Sequence, residues 1–221
     1  MKLIDELFKK YTFNEEALIN YGFSFNNGIY SYNKLLNNNS FELQLLINNK
    51  ILTGKLIDLD FNDEYKNINL DIQGNFISSL KYECELILKD IRDHCYKKND
   101  FIYPQSNRLS IRINDKYNIS PEYLWDTDPN FGVFRNNNTK KWFGIIMNIP
   151  KSKIVGNDTK EIEVLNVMLH DKTSIYLNNN NIYPAYHMNK KNWISIILDD
   201  SLNDNDIMNL IDISYNNSNK K

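Results

Sequence analysis

The chain has 221 residues, 42% hydrophobic and 13% aromatic, and its fourteen Tyr and eleven Phe exclude a disordered polymer. Its formal net charge of −2 excludes the strongly basic surface of a dedicated nucleic-acid protein. Residues 1–100 hold 12 Lys/Arg against 15 Asp/Glu and residues 101–221 hold 14 against 13, so any nucleic-acid contact needs a local patch.

The opening Met1-Lys2-Leu3-Ile4-Asp5-Glu6 lacks the uninterrupted apolar stretch of a signal peptide. No apolar run approaches the ~18 residues of a membrane span, so the expected compartment is the cytoplasm and no membrane partner is expected. Residues 3–20 read as one or two short helices, with Leu3, Leu7 and Phe8, then Ala17, Leu18 and Tyr21, at helical spacing. The period then changes. Gly28 to Leu36, Phe41 to Ile47 and Ile51 to Phe61 are β-rich runs, broken by the hairpin-like Asn37-Asn38-Asn39-Ser40 and Asn48-Asn49-Lys50. A fourth strand is expected at Ile68 to Ile72. The 37 Asn, with runs at 37–39, 136–138 and 178–181, fit turns that accept this residue.

Gly74-Asn75 opens the clearest helix, with Phe76, Leu80, Cys84, Ile87, Ile91 and Cys95 on the stripe that packs on a sheet. Eleven residues of helix hold the two cysteines about 16 Å apart, beyond the ~7 Å that a disulfide spans, so both read as core thiols. His94 follows Asp90 by four residues and suggests a surface pair. Phe101 to Asn107 reads as a linker, Leu109 to Ile113 as a strand, and Pro121 to Trp125 as a short helix. Further strands are expected at Phe131–Arg135, Trp142–Asn148, Ile162–Val167 and Trp193–Leu198. Helices are expected near Asp171–Leu177 and over Asn203–Tyr215, the latter capped by Asn203 with Asp204 and Asp206 in its first turn. The whole reads as α+β: two small domains, 1–104 and 105–221, each an antiparallel sheet with helices to one side.

The usual catalytic signatures are absent: no Gly-x-Gly-x-x-Gly, P-loop, His-Glu-x-x-His, Cys-x-x-Cys or Gly-x-Ser-x-Gly. His94, His170 and His187 are too scattered for a metal site by spacing. The acidic run from Asp199 to Asp206 lacks the central Gly and the final Glu of a calcium loop and reads as helix capping. No catalytic residue, cofactor or metal is therefore expected. One segment stands out. From Tyr183 to Trp193, two lysines, an imidazole, an amide and three aromatics precede an apolar strand, a combination able to contact phosphate and stack on bases. An ordinary surface turn, with Trp193 filling the core and the His187 ring bonding nearby backbone, is the structural reading of the same residues.

Pro184-x-x-His187-Met188-Asn189-Lys190-x-x-Trp193, followed by Ile194 to Asp200 and a helix ending in Ser214-Tyr215, resembles the end of the MmcQ/YjbR family. Trp125, Pro129-Asn130-Phe131 and Lys141-Trp142 fit the same pattern, so the resemblance covers roughly residues 121–216. It implies a frataxin-like (CyaY-like) α+β domain and a DNA-binding role of the double-wing kind. It places His187, Asn189, Lys190 and Lys191 on the polar face, anchored by Trp193. The alternative is an adaptor for a protein or small ligand, its partner meeting the more acidic N-terminal half. An enzyme or metal-handling protein is the third reading.

Overall fold

A strand that alternates apolar and polar residues buries one face, and consecutive strands must reverse within a few residues. The computed structural model describes residues 1–70, 74–177 and 181–220. Its architecture is α+β, in two compact units, Met1–Asn99 and Asp100–Lys221.

The first unit begins with helix α1 (Lys2–Phe8), strand β1 (Tyr11–Phe13) and helix α2 (Glu15–Tyr21). Strands β2 (Ser24–Asn26), β3 (Ile29–Leu36), β4 (Phe41–Asn48), β5 (Ile51–Asp58) and β6 (Asp63–Glu64) form an antiparallel sheet in chain order. Helix α3 (Asn75–Cys95) runs into β7 (Tyr96–Lys98), which pairs with β1. Asn supplies the left-handed residues that tight turns require. Asn49 and Lys50 stand at φ 48° and 66° between the paired Asn48 and Ile51, and Asn27, Asn37, Asn38, Asn39 and Asn62 are also left-handed.

β4 buries Phe41, Leu43, Leu45 and Ile47, which join Leu80, Cys84, Leu88, Ile91 and Cys95 of α3 in one core. The stripe is centred on Leu88, with the expected Ile87 partly buried at its edge. Phe76 lies in the first turn, 51% exposed, its ring 5.9 Å from that of Phe41. The short helices expected over 3–20 are α1 and α2; β1, whose pairing partner lies more than 80 residues away, separates them. In place of the strand expected at Ile68–Ile72 there is a 3-10 turn over Lys66–Asn69; residues 71 and 72 lie outside the described residues. His94 Nδ1 donates to the Asp90 carbonyl at 2.8 Å and sits 3.3 Å from its carboxylate, the expected surface pair.

The second unit holds α4 (Pro104–Tyr117), β8 (Glu122–Tyr123), β9 (Gly132–Arg135), β10 (Trp142–Pro150), β11 (Glu161–Met168), α5 (Thr173–Tyr176), β12 (Ile182–Pro184), β13 (Trp193–Ile197) and α6 (Asp204–Ser218). Its antiparallel sheet has the order β12-β13-β11-β10-β9-β8. Two expectations fail here. The linker and strand over 101–113 are α4, which starts with Pro104 at its first position and buries Gln105, Ser106, Leu109, Ser110 and Ile113. Three of those five are polar, so the helical period is invisible to a hydrophobicity reading. The helix expected from Pro121 to Trp125 is β8, held by the pairing of Glu122 with Val133. α6 starts as expected: Asn203 Oδ1 accepts from the Asp206 amide at 3.0 Å.

α4 and α6 cover one face of the sheet, with Leu109, Ile113, Ile207 and Ile211 on Phe134, Phe143, Leu165 and Ile194. The other face has its own apolar centre, Val133, Ile145, Met147, Val164 and Ile197, with Trp125, Phe131, Trp142, Tyr183 and Tyr186 packed against it. On the helix side, Glu163 is fully buried, and its carboxylate accepts from the amides of Ile102 and Tyr103, each at 2.9 Å.

Glu163→Ala leaves two partly buried amides without their acceptor, at about 1–3 kcal/mol each, and should lower stability in urea by roughly 3 kcal/mol. Burial pushes the Cys84 thiol up to about 12 and the Cys95 thiol up to about 11. A raised thiol keeps its proton longer folded than unfolded, so stability is intact below the ordinary value of 9.0 and declines as pH rises above it. At pH about 8 neither thiol should react with an alkylating reagent in the folded protein, and both should react once it is unfolded.

Candidate nucleic-acid interface

The segment from Tyr183 to Trp193 leaves edge strand β12, turns, and enters β13. Its backbone is fixed by polar groups that are themselves buried. Ser195 Oγ accepts from the Tyr186 amide at 2.9 Å and donates to Asn166 Oδ1 at 2.6 Å. Asn166 Nδ2 donates to the Tyr186 carbonyl at 2.7 Å, and Asn166 and Ser195 are both fully buried. A second set closes the turn. Asn189 Oδ1 accepts from the Lys191 amide at 3.0 Å, and the Asn189 carbonyl accepts from Asn192 and Trp193.

The five predicted residues separate into two roles. Trp193 is 7% exposed at the start of β13, and the Asn189 side-chain oxygen is spent on the turn, so both hold the segment in place. His187, Lys190 and Lys191 are exposed. His187 has a left-handed backbone, φ 57°, and its ring lies 4.0 Å from that of Tyr186. The ring makes no hydrogen bond among the described residues.

Strand register brings further cations to the same end. Met168 at the end of β11 pairs with Trp193 at the start of β13, and Val167 pairs with Gly144 near the start of β10. The turns 136–141 and 189–192 and the segment after β11 therefore lie together. The Leu169 and His170 amides donate to the Asn192 carbonyl, and Thr173 Oγ1 donates to the Lys191 carbonyl at 3.0 Å. Lys140, Lys172, Lys190 and Lys191 are exposed there, without an ion-pair partner among the described residues. Lys141 Nζ instead donates to the Lys220 carbonyl at 2.7 Å, and Arg135 pairs with Glu122 at 2.9 Å.

The YjbR family model matches residues 114–217, from within α4 to the end of α6. The uncharacterised protein YyaQ of Bacillus subtilis is 39% identical over 104 residues, 47% of this chain and 88% of that protein. The chain belongs to the YjbR family. The chain is also similar to a Pseudomonas syringae protein solved by crystallography (31% identity, 50% of this chain and 96% of that one, TM-score 0.49) and by NMR (30%, 52% and 94%, 0.48).

Every residue of the cationic end, and the polar anchors Asn166 and Ser195, lies within the YjbR match except Lys220. Sequence reading missed Lys140 and Lys172 because they are 50 and 18 residues from Lys190. The signal that finds them is the order of strand ends, since an antiparallel sheet brings the end of each strand beside the start of its neighbour. Among the described residues no group of three His, Cys, Asp or Glu could hold a metal ion, and no helix is long and apolar enough to cross a membrane. A cleft of 1080 Å³ beside β12 and α6, lined by Tyr176, Tyr183, Leu202, Asp206 and Leu210, includes none of the five predicted residues.

Ser195→Ala would strand the Tyr186 amide and one oxygen of Asn166 in the interior. It should lower stability by roughly 2 kcal/mol, read in urea unfolding.

Proposed function

We propose that the YjbR unit is a non-enzymatic module that binds the phosphate backbone of nucleic acid, DNA in the first instance, through Lys140, Lys172, Lys190 and Lys191. The observation that carries this reading is the gathering of four exposed ammonium groups, without an ion-pair partner among the described residues, at one end of a sheet in a near-neutral chain. Ammonium groups that no carboxylate neutralises attract phosphate and gain entropy by releasing its condensed counterions. His187 stands beside them as a hydrogen-bonding group. The frataxin-like fold and double-wing likeness suggested by the family motif belong to this reading as expectations; its weight rests on the charges.

A second reading has one observation behind it. The outer face of the first unit's sheet exposes Leu35, Leu46 and Ile51 at 47%, 46% and 65%, the kind of apolar surface a protein partner covers. Binding of that sort would be insensitive to the lysines.

The discriminating measurement is fluorescence anisotropy with labelled DNA across a salt series. Four phosphate contacts imply a slope of log K against log salt of about −3 to −4. The Lys190→Ala/Lys191→Ala double variant should reduce that slope by about two. Absence of binding at low salt, or a salt slope unchanged in the double variant, sinks the reading.

A further inference from the structure

Alternate residues of a strand share a face, and on the YjbR sheet the face opposite α4 and α6 ends in a row of large side chains beside the lysines. Trp142 opens β10, Met168 closes β11 and Trp193 opens β13, each on the face that carries Val164 and Ile197. Tyr186 packs on the same face, and the His187 ring extends the row into solvent. Trp193 is buried, but Trp142, Met168 and Tyr186 are only half-buried.

The Trp142 indole is held on edge: the Trp125 ring stands 5.8 Å away at 86°, and the Arg135 guanidinium lies 5.8 Å from its centroid. Arg135 is neutralised by Glu122, so it fixes the ring without adding a free charge. Lys140 precedes Trp142 by two residues, and Lys190 follows His187 by three. The exposed and half-buried rings of β10 and of the turn before β13, with Met168 of β11 between them, thus stand beside the ammonium groups. Two strand spacings, about 10 Å, separate β10 from β13.

Resting on the phosphate-binding reading above, we propose that this row is a stacking platform for single-stranded nucleic acid. Bases lie on Trp142 at one side and on Tyr186 and His187 at the other, while Lys140, Lys190 and Lys191 meet the phosphates. A duplex hides the faces of its bases, whereas an unpaired strand presents them to any exposed ring. Recognition by stacking is tolerant of base identity and, with phosphate contacts alone beside it, indifferent to the sugar 2′-hydroxyl.

The test uses the intact chain at low salt with oligothymidylate, oligouridylate and a duplex of equal length, read by anisotropy and by tryptophan fluorescence. Both single strands should bind more tightly than the duplex, with similar affinities, and should quench the protein's fluorescence. Trp142→Ala should weaken single-strand binding at least tenfold and reduce the quench, leaving duplex binding within about twofold, while Trp142→Phe retains most affinity. His187→Asn removes a ring while keeping a residue that accepts left-handed backbone. It should weaken single-strand binding severalfold with an unchanged melting temperature, so the platform remains testable if Trp142→Ala does not fold. Equal affinity for duplex and single strands, with Trp142→Phe and His187→Asn both neutral and the salt slope retained, overturns the platform and leaves the lysine reading standing. No binding of any oligonucleotide overturns both.

Discussion

A carboxylate taken wholly out of water is costly unless both oxygens find donors, and Glu163 is placed where two amides supply them. Those amides, Ile102 and Tyr103, belong to the last residues before α4, so one side chain of β11 fixes where that helix starts. Three residues on, facing the opposite side of the sheet, Asn166 performs the corresponding task for the turn before β13 through Ser195 and the two backbone groups of Tyr186. β11 is thus apolar along most of its length and polar at the two points where it pins irregular backbone. Loss of either polar residue would leave the strands paired but would free a neighbouring segment, one under the helix layer and one at the candidate interface.

That division explains what was legible in the sequence. The strands β3, β4 and β5 were readable because β4 alternates cleanly and because Asn sits in the breaks between them. α6 was readable from Asn203, whose capping oxygen is local information. α4 was not, since the polar Gln105, Ser106 and Ser110 turn inward; Gln105 donates to the Leu202 carbonyl and accepts from the Asp200 amide, and Ser110 donates to Asp100. β8 and β12 are too short to carry a pattern and exist through their partners. At the site the motif was visible, but its internal division of labour was not: nothing local distinguishes an Asn189 spent on a turn from a His187 left free.

The near-neutral charge was a poor guide for a related reason. Carboxylates of the second unit gather at the start of α6, where Asp204 and Asp200 both pair with Arg108 and suit the positive end of the helix. Part of the cationic end is explained in the same way. Lys141 donates to a carbonyl just past the C-terminus of α6, where a cation is favoured on helix grounds alone. The claim on phosphate therefore concerns only the ammonium groups left after this subtraction, Lys140, Lys190 and Lys191, with Lys172 at the end of a short 3-10 turn; none has a carboxylate partner among the described residues.

Backbone conformation supports the same distinction independently. This chain fills most of its described non-glycine left-handed positions with Asn, the side chain that tolerates them best after Gly. The other described non-glycine residues at positive φ are Lys50, Lys140, His170, His187 and Asp200. Asp200 is accounted for by its pairing with Arg108 and Lys50 by its place in a two-residue hairpin turn beside Asn49. The remaining three, Lys140, His170 and His187, all stand at the end of the YjbR sheet where the free lysines gather. Each carries a conformational cost, of order 1 kcal/mol, that Asn would largely remove. Of these three, Lys140 and His187 are exposed and His170 is half-buried, so it is Lys140 and His187 whose side chains stand where the proposed phosphate and base contacts would need them.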